Sequence, residues 1–165
     1  MNFIIRKASL DDISNIKNVA DIIFPYTYKN ILSKDQIEYM MNLMYSIESL
    51  NNQFTIQNYE YFLAENNYGE ILGYMSCKKN DNAILKLEKL YILPNYQRIG
   101  IGNALFFKAI EIAKNKKLFH IQLNVNRNNN AINFYKKIGM YIASQGDFDI
   151  GNGYFMNDYI MQYDI

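Results

Sequence analysis

The chain reads as one α/β domain of the α+β kind, its elements running β-α-α-β-β-β-α-β-α-β-β. Three observations predict this. Hydrophobic periodicity alternates between strand and helix spacing along the chain. Its 165 residues, half of them hydrophobic, supply enough apolar surface for one core, and no Pro- or Ser-rich linker divides them. A strand, a glycine-containing loop and a helix start follow one another directly in the middle of the sequence. A single domain over residues 1–165 is expected.

Phe3 to Arg6 has strand character. A helix opens at Leu10, with Ser9 as N-cap and Asp12 at the capping-box distance. Its apolar stripe is Ile13, Ile16, Val19, Ala20 and Ile23, and Pro25 is expected to end it. A second helix begins at Ser33, with Ile37, Met40, Met41, Met44 and Ile47 on one face. A methionine-rich face is adaptable core or a flexible substrate wall. The polar stretch Ser49 to Gln53 is read as a connection into strands at Tyr59–Ala64 and Glu70–Cys77. Turns are expected at Asn66–Gly69 and at Lys79–Asn82.

The next strand, Ala83 to Leu93, breaks strict alternation. Leu85 and Leu87 share one parity and Leu90 and Ile92 the other, with Lys86, Glu88 and Lys89 around the change. Either both faces are buried, or a bulge near Glu88–Lys89 re-aims the side chains.

Composition excludes several chemistries. Lys and Arg number 17 against 16 Asp and Glu, a net charge of +1, so no charge imbalance points to nucleic acid or a membrane surface. One Cys (Cys77) and one His (His120) leave no intrachain disulfide and no Cys/His zinc site. His120 lies in the apolar run 118–121 and reads as a strand histidine held by local hydrogen bonds. The N-terminus shows no signal peptide and no apolar run approaches about 18 residues, so a cytoplasmic protein is expected. There are 24 Ile, 23 Asn and 15 Tyr but no Trp, residue types that AT-rich codons favour. An Asn cluster or a Tyr stripe is therefore weak evidence of function by itself.

The chemistry is carried by Gln97-Arg98-Ile99-Gly100-Ile101-Gly102-Asn103, between that strand and a helix with Ile101, Ala104, Leu105, Ala109 and Ile112 on its stripe. Converging N–H groups and the helix dipole make such a junction an anion site. It is not a dinucleotide fingerprint, because Leu105 stands where the third glycine belongs. It is not a nucleotide P-loop, because the Gly-Lys-Ser/Thr signature is missing.

The loop resembles the Gln/Arg-x-x-Gly-x-Gly/Ala motif of the GCN5-related N-acetyltransferases (GNAT). Leu90-Tyr91-Ile92-Leu93-Pro94 resembles that family's strand end before the loop, and Asn128 to Met140 its Asn-x-x-Ala-x-x-Phe-Tyr-x-x-x-Gly-Phe motif, with Met140 in place of the final Phe. The resemblance covers nearly the whole chain. It implies a mixed, mostly antiparallel sheet of about seven strands flanked by about four helices, with acetyl-CoA as co-substrate between the fourth and fifth strands and no metal. The pantetheine arm is expected at Tyr91 and Ile92 and the pyrophosphate on the N–H groups of Arg98, Ile99, Gly100, Ile101, Gly102 and Asn103. Gln97, Asn128 and Phe134 complete the cofactor site. Acetyl transfer to an amine would use Glu88 as base and Tyr135 as acid, with the oxyanion on a backbone N–H near Ile92. The plainer alternatives are a strand carboxylate paired with Lys86 or Lys89, and a tyrosine that merely packs.

The acceptor, a small-molecule or peptide amine, is expected against the first helices and the last strands. Tyr26, Tyr28 and Asp149 are the candidate contacts, with Asp147 and Asp158 nearby. A homodimer is left open. The competing function is a non-catalytic acyl-CoA-binding module of the same fold, which would keep the loop and lose the base and acid.

Overall fold

The computed structural model describes residues 2–80 and 82–165. Met1 and Asp81, and with Asp81 the expected turn at 79–82, lie outside them. The strands are β1 (Phe3–Lys7), β2 (Glu60–Asn66), β3 (Ile71–Lys79), β4 (Ile84–Ile92), β5 (His120–Asn126), β6 (Tyr141–Gly151) and β7 (Tyr154–Asp164). The helices are α1 (Ile13–Tyr28), α2 (Lys34–Tyr45), α3 (Ile47–Thr55), α4 (Ile101–Asn115) and α5 (Ala131–Lys137). One seven-stranded sheet runs in the order β1-β2-β3-β4-β5-β7-β6. Among the described residues only β4 and β5 pair parallel; every other pair is antiparallel.

The described residues form five α-helices, in keeping with the expected sheet flanked by about four, but three local expectations need correction. Ser46, extended at φ −59° and ψ 151°, breaks the second expected helix and caps a new one, its hydroxyl accepting from Ser49 N–H at 3.1 Å. The polar stretch 49–53 lies inside this α3, which buries only Leu50 and Gln53. Ile47, expected on the apolar stripe, is exposed. Pro25 does not end α1, which runs on to Tyr28. Proline removes one backbone hydrogen bond. Burial of Phe24 and Tyr28 on either side outweighs that loss, at about 1.5–3 kcal/mol for a large apolar side chain.

At the N-terminus of the domain the capping geometry is as read. Asp12 accepts from Ser9 N–H at 2.9 Å, and Arg6 clamps the same carboxylate through two nitrogens at 2.8 and 2.9 Å. This pairing holds the Asp12 carboxyl below the usual carboxylate range.

The parity change in β4 is a bulge. Ser76 pairs with Lys89 and the next residue, Cys77, with Leu87, so Glu88 is the extra residue. The insertion keeps Leu85 and Leu87 before it, and Leu90 and Ile92 after it, against the same aliphatic core under α4. Lys89 is buried on the opposite side, among residues of α2, α3 and β2. Pairing with β5 runs from Ile84–His120 to Leu87–Leu123, while β5 continues along β7 as far as Asn126–Asp158. The two parallel strands therefore part at Glu88 and leave a wedge in the sheet.

Candidate active site

A cleft of about 1540 Å³ occupies that wedge, from the C-terminal end of α1 to the start of α4. Its floor is β4 beyond the bulge. Leu93 N–H is spent on Leu72 C=O of β3 at 2.9 Å. Strand alternation then turns the N–H and C=O of Ile92 toward the gap, and Gln97 Nε2 reaches that carbonyl at 3.2 Å. The Tyr91 ring crosses to the other side of the sheet, where its hydroxyl lies 3.2 Å from that of Tyr28. Gly73, opposite Ile92, holds β3 close: a Cβ there would stand 2.7 Å from Tyr91 C=O.

The loop beyond β4 turns through two left-handed residues, Arg98 (φ 65°) and Gly100 (φ 97°). The first bond of α4 joins Ala104 N–H to Gly100 C=O at 3.0 Å. No backbone N–H from Arg98 to Asn103 is spent on a backbone carbonyl of the described residues. These donors, at a helix N-terminus, suit a pyrophosphate. Gly102 sits under Phe134, whose Cζ would be 3.1 Å from an added Cβ. Gln97, Arg98, Gly100, Gly102, Asn103, Asn128 and Phe134 all line the cleft. Ile101 turns its side chain into the core and Ile99 turns its own outward, so both face the loop with backbone only.

Glu88 and Tyr135 also line the cleft. Glu88 is bound neither to Lys86, which is tied to Asn124, nor to Lys89, which donates to Gln53 at 2.7 Å. Its nearest cation is Lys78, at 3.9 Å across the ladder. Tyr135 is 7% exposed, and burial keeps its hydroxyl protonated well above the ordinary tyrosine range.

Of the candidate acceptor residues, Tyr26 and Tyr28 reach the cleft and Asp149 does not. The ring of Tyr26 already carries Lys29 Nζ at 4.7 Å. Asp149 is exposed on β6 and accepts from Gly151 N–H at 2.8 Å. His120 lies away from the cleft with Nδ1 2.8 Å from Asp164, a local strand contact as expected. Among the described residues no group of three or more His, Cys, Asp or Glu could hold a metal ion, and no helix is long and apolar enough to cross a membrane.

Sequence reasoning missed the environment of Lys89. It is 6% exposed, its Nζ within 5.1–5.4 Å of the rings of Tyr45, Tyr59 and Tyr61. Burial lowers its pKa to about 7. Gln53 Oε1 accepts from Lys89 and, at 2.5 Å, from Tyr61; its Nε2 donates to Met44 C=O at 2.8 Å. One buried amide thus joins α2, α3, β2 and the bulge. The sequence offered no sign of this, because Lys89 reads there as one of three neighbouring charged residues with Lys86 and Glu88.

The family model described as the acetyltransferase (GNAT) family matches residues 21–140. A spermidine N(1)-acetyltransferase of Thermoplasma acidophilum is 30% identical over 153 residues, covering 90% of this chain and 94% of that protein. The crystal structure of a PaiA N-acetyltransferase from Thermoplasma acidophilum in complex with coenzyme A superposes with a TM-score of 0.83 at 27% identity over the full length of both chains. A GCN5-related N-acetyltransferase structure from Rhodopseudomonas palustris reaches 0.84 at 16% identity, covering 100% of this chain and 97% of that one, which speaks to the fold alone. With the split at Glu88, the free N–H groups of the loop and this agreement along the sequence, the chain belongs to the GNAT acetyltransferase family, enzymes that move an acetyl group from acetyl-CoA to an amine.

Proposed function

We propose that this enzyme acetylates a polyamine-type primary amine, with Glu88 as general base and Tyr135 as general acid. The observation that carries the roles is the bulge. It leaves Glu88 at the point where β4 and β5 separate, on a cleft whose other wall holds the buried Tyr135 hydroxyl. The acceptor class is supported by the relative of 30% identity named as a spermidine N(1)-acetyltransferase.

Acetyl-CoA supplies a thioester carbonyl with a thiol as leaving group. The residues supply the rest. An alkyl amine with pKa near 10.4 is roughly 0.04% neutral at pH 7. Glu88 takes its proton, directly or through one water, as it attacks. Ile92 N–H faces the negative charge that develops on the carbonyl oxygen. The Tyr135 hydroxyl, held neutral by burial, donates to the sulfur as the C–S bond breaks, and the amide and the free thiol leave. The N–H groups of 98–103 hold the pyrophosphate, Asn128 a pantetheine amide, and Tyr28 the acceptor side of the cleft. A cytoplasmic location fits the single, unpaired and buried Cys77.

Thiol release from acetyl-CoA, followed over polyamines, amino acids and short peptides, tests the reading. Turnover should be highest on polyamines, with a mono-acetylated product by mass. Tight acetyl-CoA binding without turnover on any acceptor would make the chain an acyl-CoA-binding module instead.

A further inference from the structure

The last two strands carry three aspartates near the acceptor side, and the structure separates them. Asp147 is exposed and paired with Arg127. Asp149 is exposed and bound to its own turn. Asp158, on β7, is 5% exposed, and its Oδ1 has no hydrogen-bond partner among the described residues. Its Oδ2 has one, Asn124 Nδ2, at the limiting distance of 3.5 Å. The nearby cations are engaged elsewhere, Lys86 with the Asn124 carbonyl and Arg127 with Asp147. A buried carboxylate without a bonded cation is costly, and an unfilled oxygen in such a place calls for a donor.

The position says what that donor is. Asp158 pairs with Asn126, three residues beyond Leu123, where β4 and β5 last touch. It therefore lies about 10 Å along the strand from the split. Tyr28 of α1 is close enough to feel its charge. Asn124 stands between Asp158 and the cleft, which it lines. Resting on the proposed reaction at Glu88, we infer that Asp158, reached past Asn124, anchors the second, non-reacting ammonium of a di- or polyamine acceptor. The ammonium replaces the long Asn124 contact and fills the unpaired oxygen, and the span from the split suits a triamine. A neutral or anionic acceptor would gain nothing from this group.

Asp158→Asn keeps the shape and removes the charge, and circular dichroism with thermal melting checks its fold. The KM for spermidine should rise about 10- to 100-fold, as loss of a charge-assisted hydrogen bond implies, with kcat little changed. The KM for n-butylamine, which has no second cation, should stay the same. Asn124→Ala should shift the spermidine KM alone, by less. An unchanged spermidine KM in Asp158→Asn, or an equal rise for both amines, overturns the anchor. Calorimetric titration of spermidine into the CoA-loaded enzyme reads the anchor apart from the chemistry. Binding that weakens with Asp158→Asn supports it; no binding to the wild type, or equal binding to both proteins, overturns it. A wild type that releases no thiol with any amine would instead overturn the proposed reaction.

Discussion

The two faces of the sheet are built from different materials. Under α4 the core is aliphatic, with Leu85, Leu87, Leu105, Ile121, Leu123 and Met161 packed together. Under α1, α2 and α3 it is rich in tyrosine, with Tyr28, Tyr45, Tyr61 and Tyr74 buried and polar groups among them. The Tyr74 hydroxyl donates to that of Tyr45 at 2.9 Å, and Gln53 and Lys89 sit beside them. The loop proposed to hold the cofactor springs from the aliphatic face and offers mostly backbone. The proposed acceptor side faces the other way and offers side chains. Backbone donors suit a ligand every member of the family shares, because they do not depend on residue identity. Side chains can be exchanged one at a time, which suits an acceptor that differs from enzyme to enzyme.

The sharpest way to break this contrast is on the backbone side. Gly102→Val puts a branched side chain where even a Cβ would be 3.1 Å from Phe134, so it should abolish CoA binding by calorimetry while the fold is kept. Wild-type affinity would mean the loop is not the pyrophosphate site. Between the two faces, Glu88→Gln should lower kcat by about 100- to 10,000-fold and Tyr135→Phe by roughly 10- to 1000-fold, both with CoA affinity little changed. An unchanged kcat in either variant removes that residue from the chemistry.

The smallest effect sharpens the tyrosine-rich side. Lys89 has a folded pKa of about 7, below its unfolded value of 10.5. Between those limits the unfolded chain binds more protons, so stability rises with pH, at up to about 1.4 kcal/mol per unit. Lys89→Met removes this contribution. Urea unfolding at pH 7 and pH 9 should show the wild type gaining about 2 kcal/mol relative to the variant. Parallel pH dependence in the two proteins would mean that the cage of three tyrosines and Gln53 holds Lys89 charged throughout.

The sequence disclosed most about the aliphatic face. Its strand period is two, so a single inserted residue in β4 showed as a change of parity, and the structure chose the bulge over a strand buried on both sides. The turn of the loop was readable because glycine marks where the backbone must adopt a left-handed conformation, as at Gly100. The other face was hidden for physical reasons. α3 buries only two residues, too few to make a stripe. Pro25 marks a helix end by local rules, which tertiary burial of Phe24 and Tyr28 overrode. Lysine counts as surface in any pattern, so the cage around Lys89 left no trace. The tyrosine excess that composition ascribed to codon bias supplies much of that core, and only coordinates separate buried rings from exposed Tyr26 and Tyr68.

The extra residue at Glu88 also makes β4 sensitive to length more than to identity. Deleting either residue between Leu87 and Leu90 would return the strand to a regular pleat, with Leu85, Leu87, Leu90 and Ile92 all still on the α4 side and the ladder to β3 running unbroken. A straight β4 would resume pairing with β5 beyond Leu87–Leu123 and close the wedge. A one-residue deletion here is then a change of active-site architecture, while point substitutions at the same positions alter only the groups displayed on it.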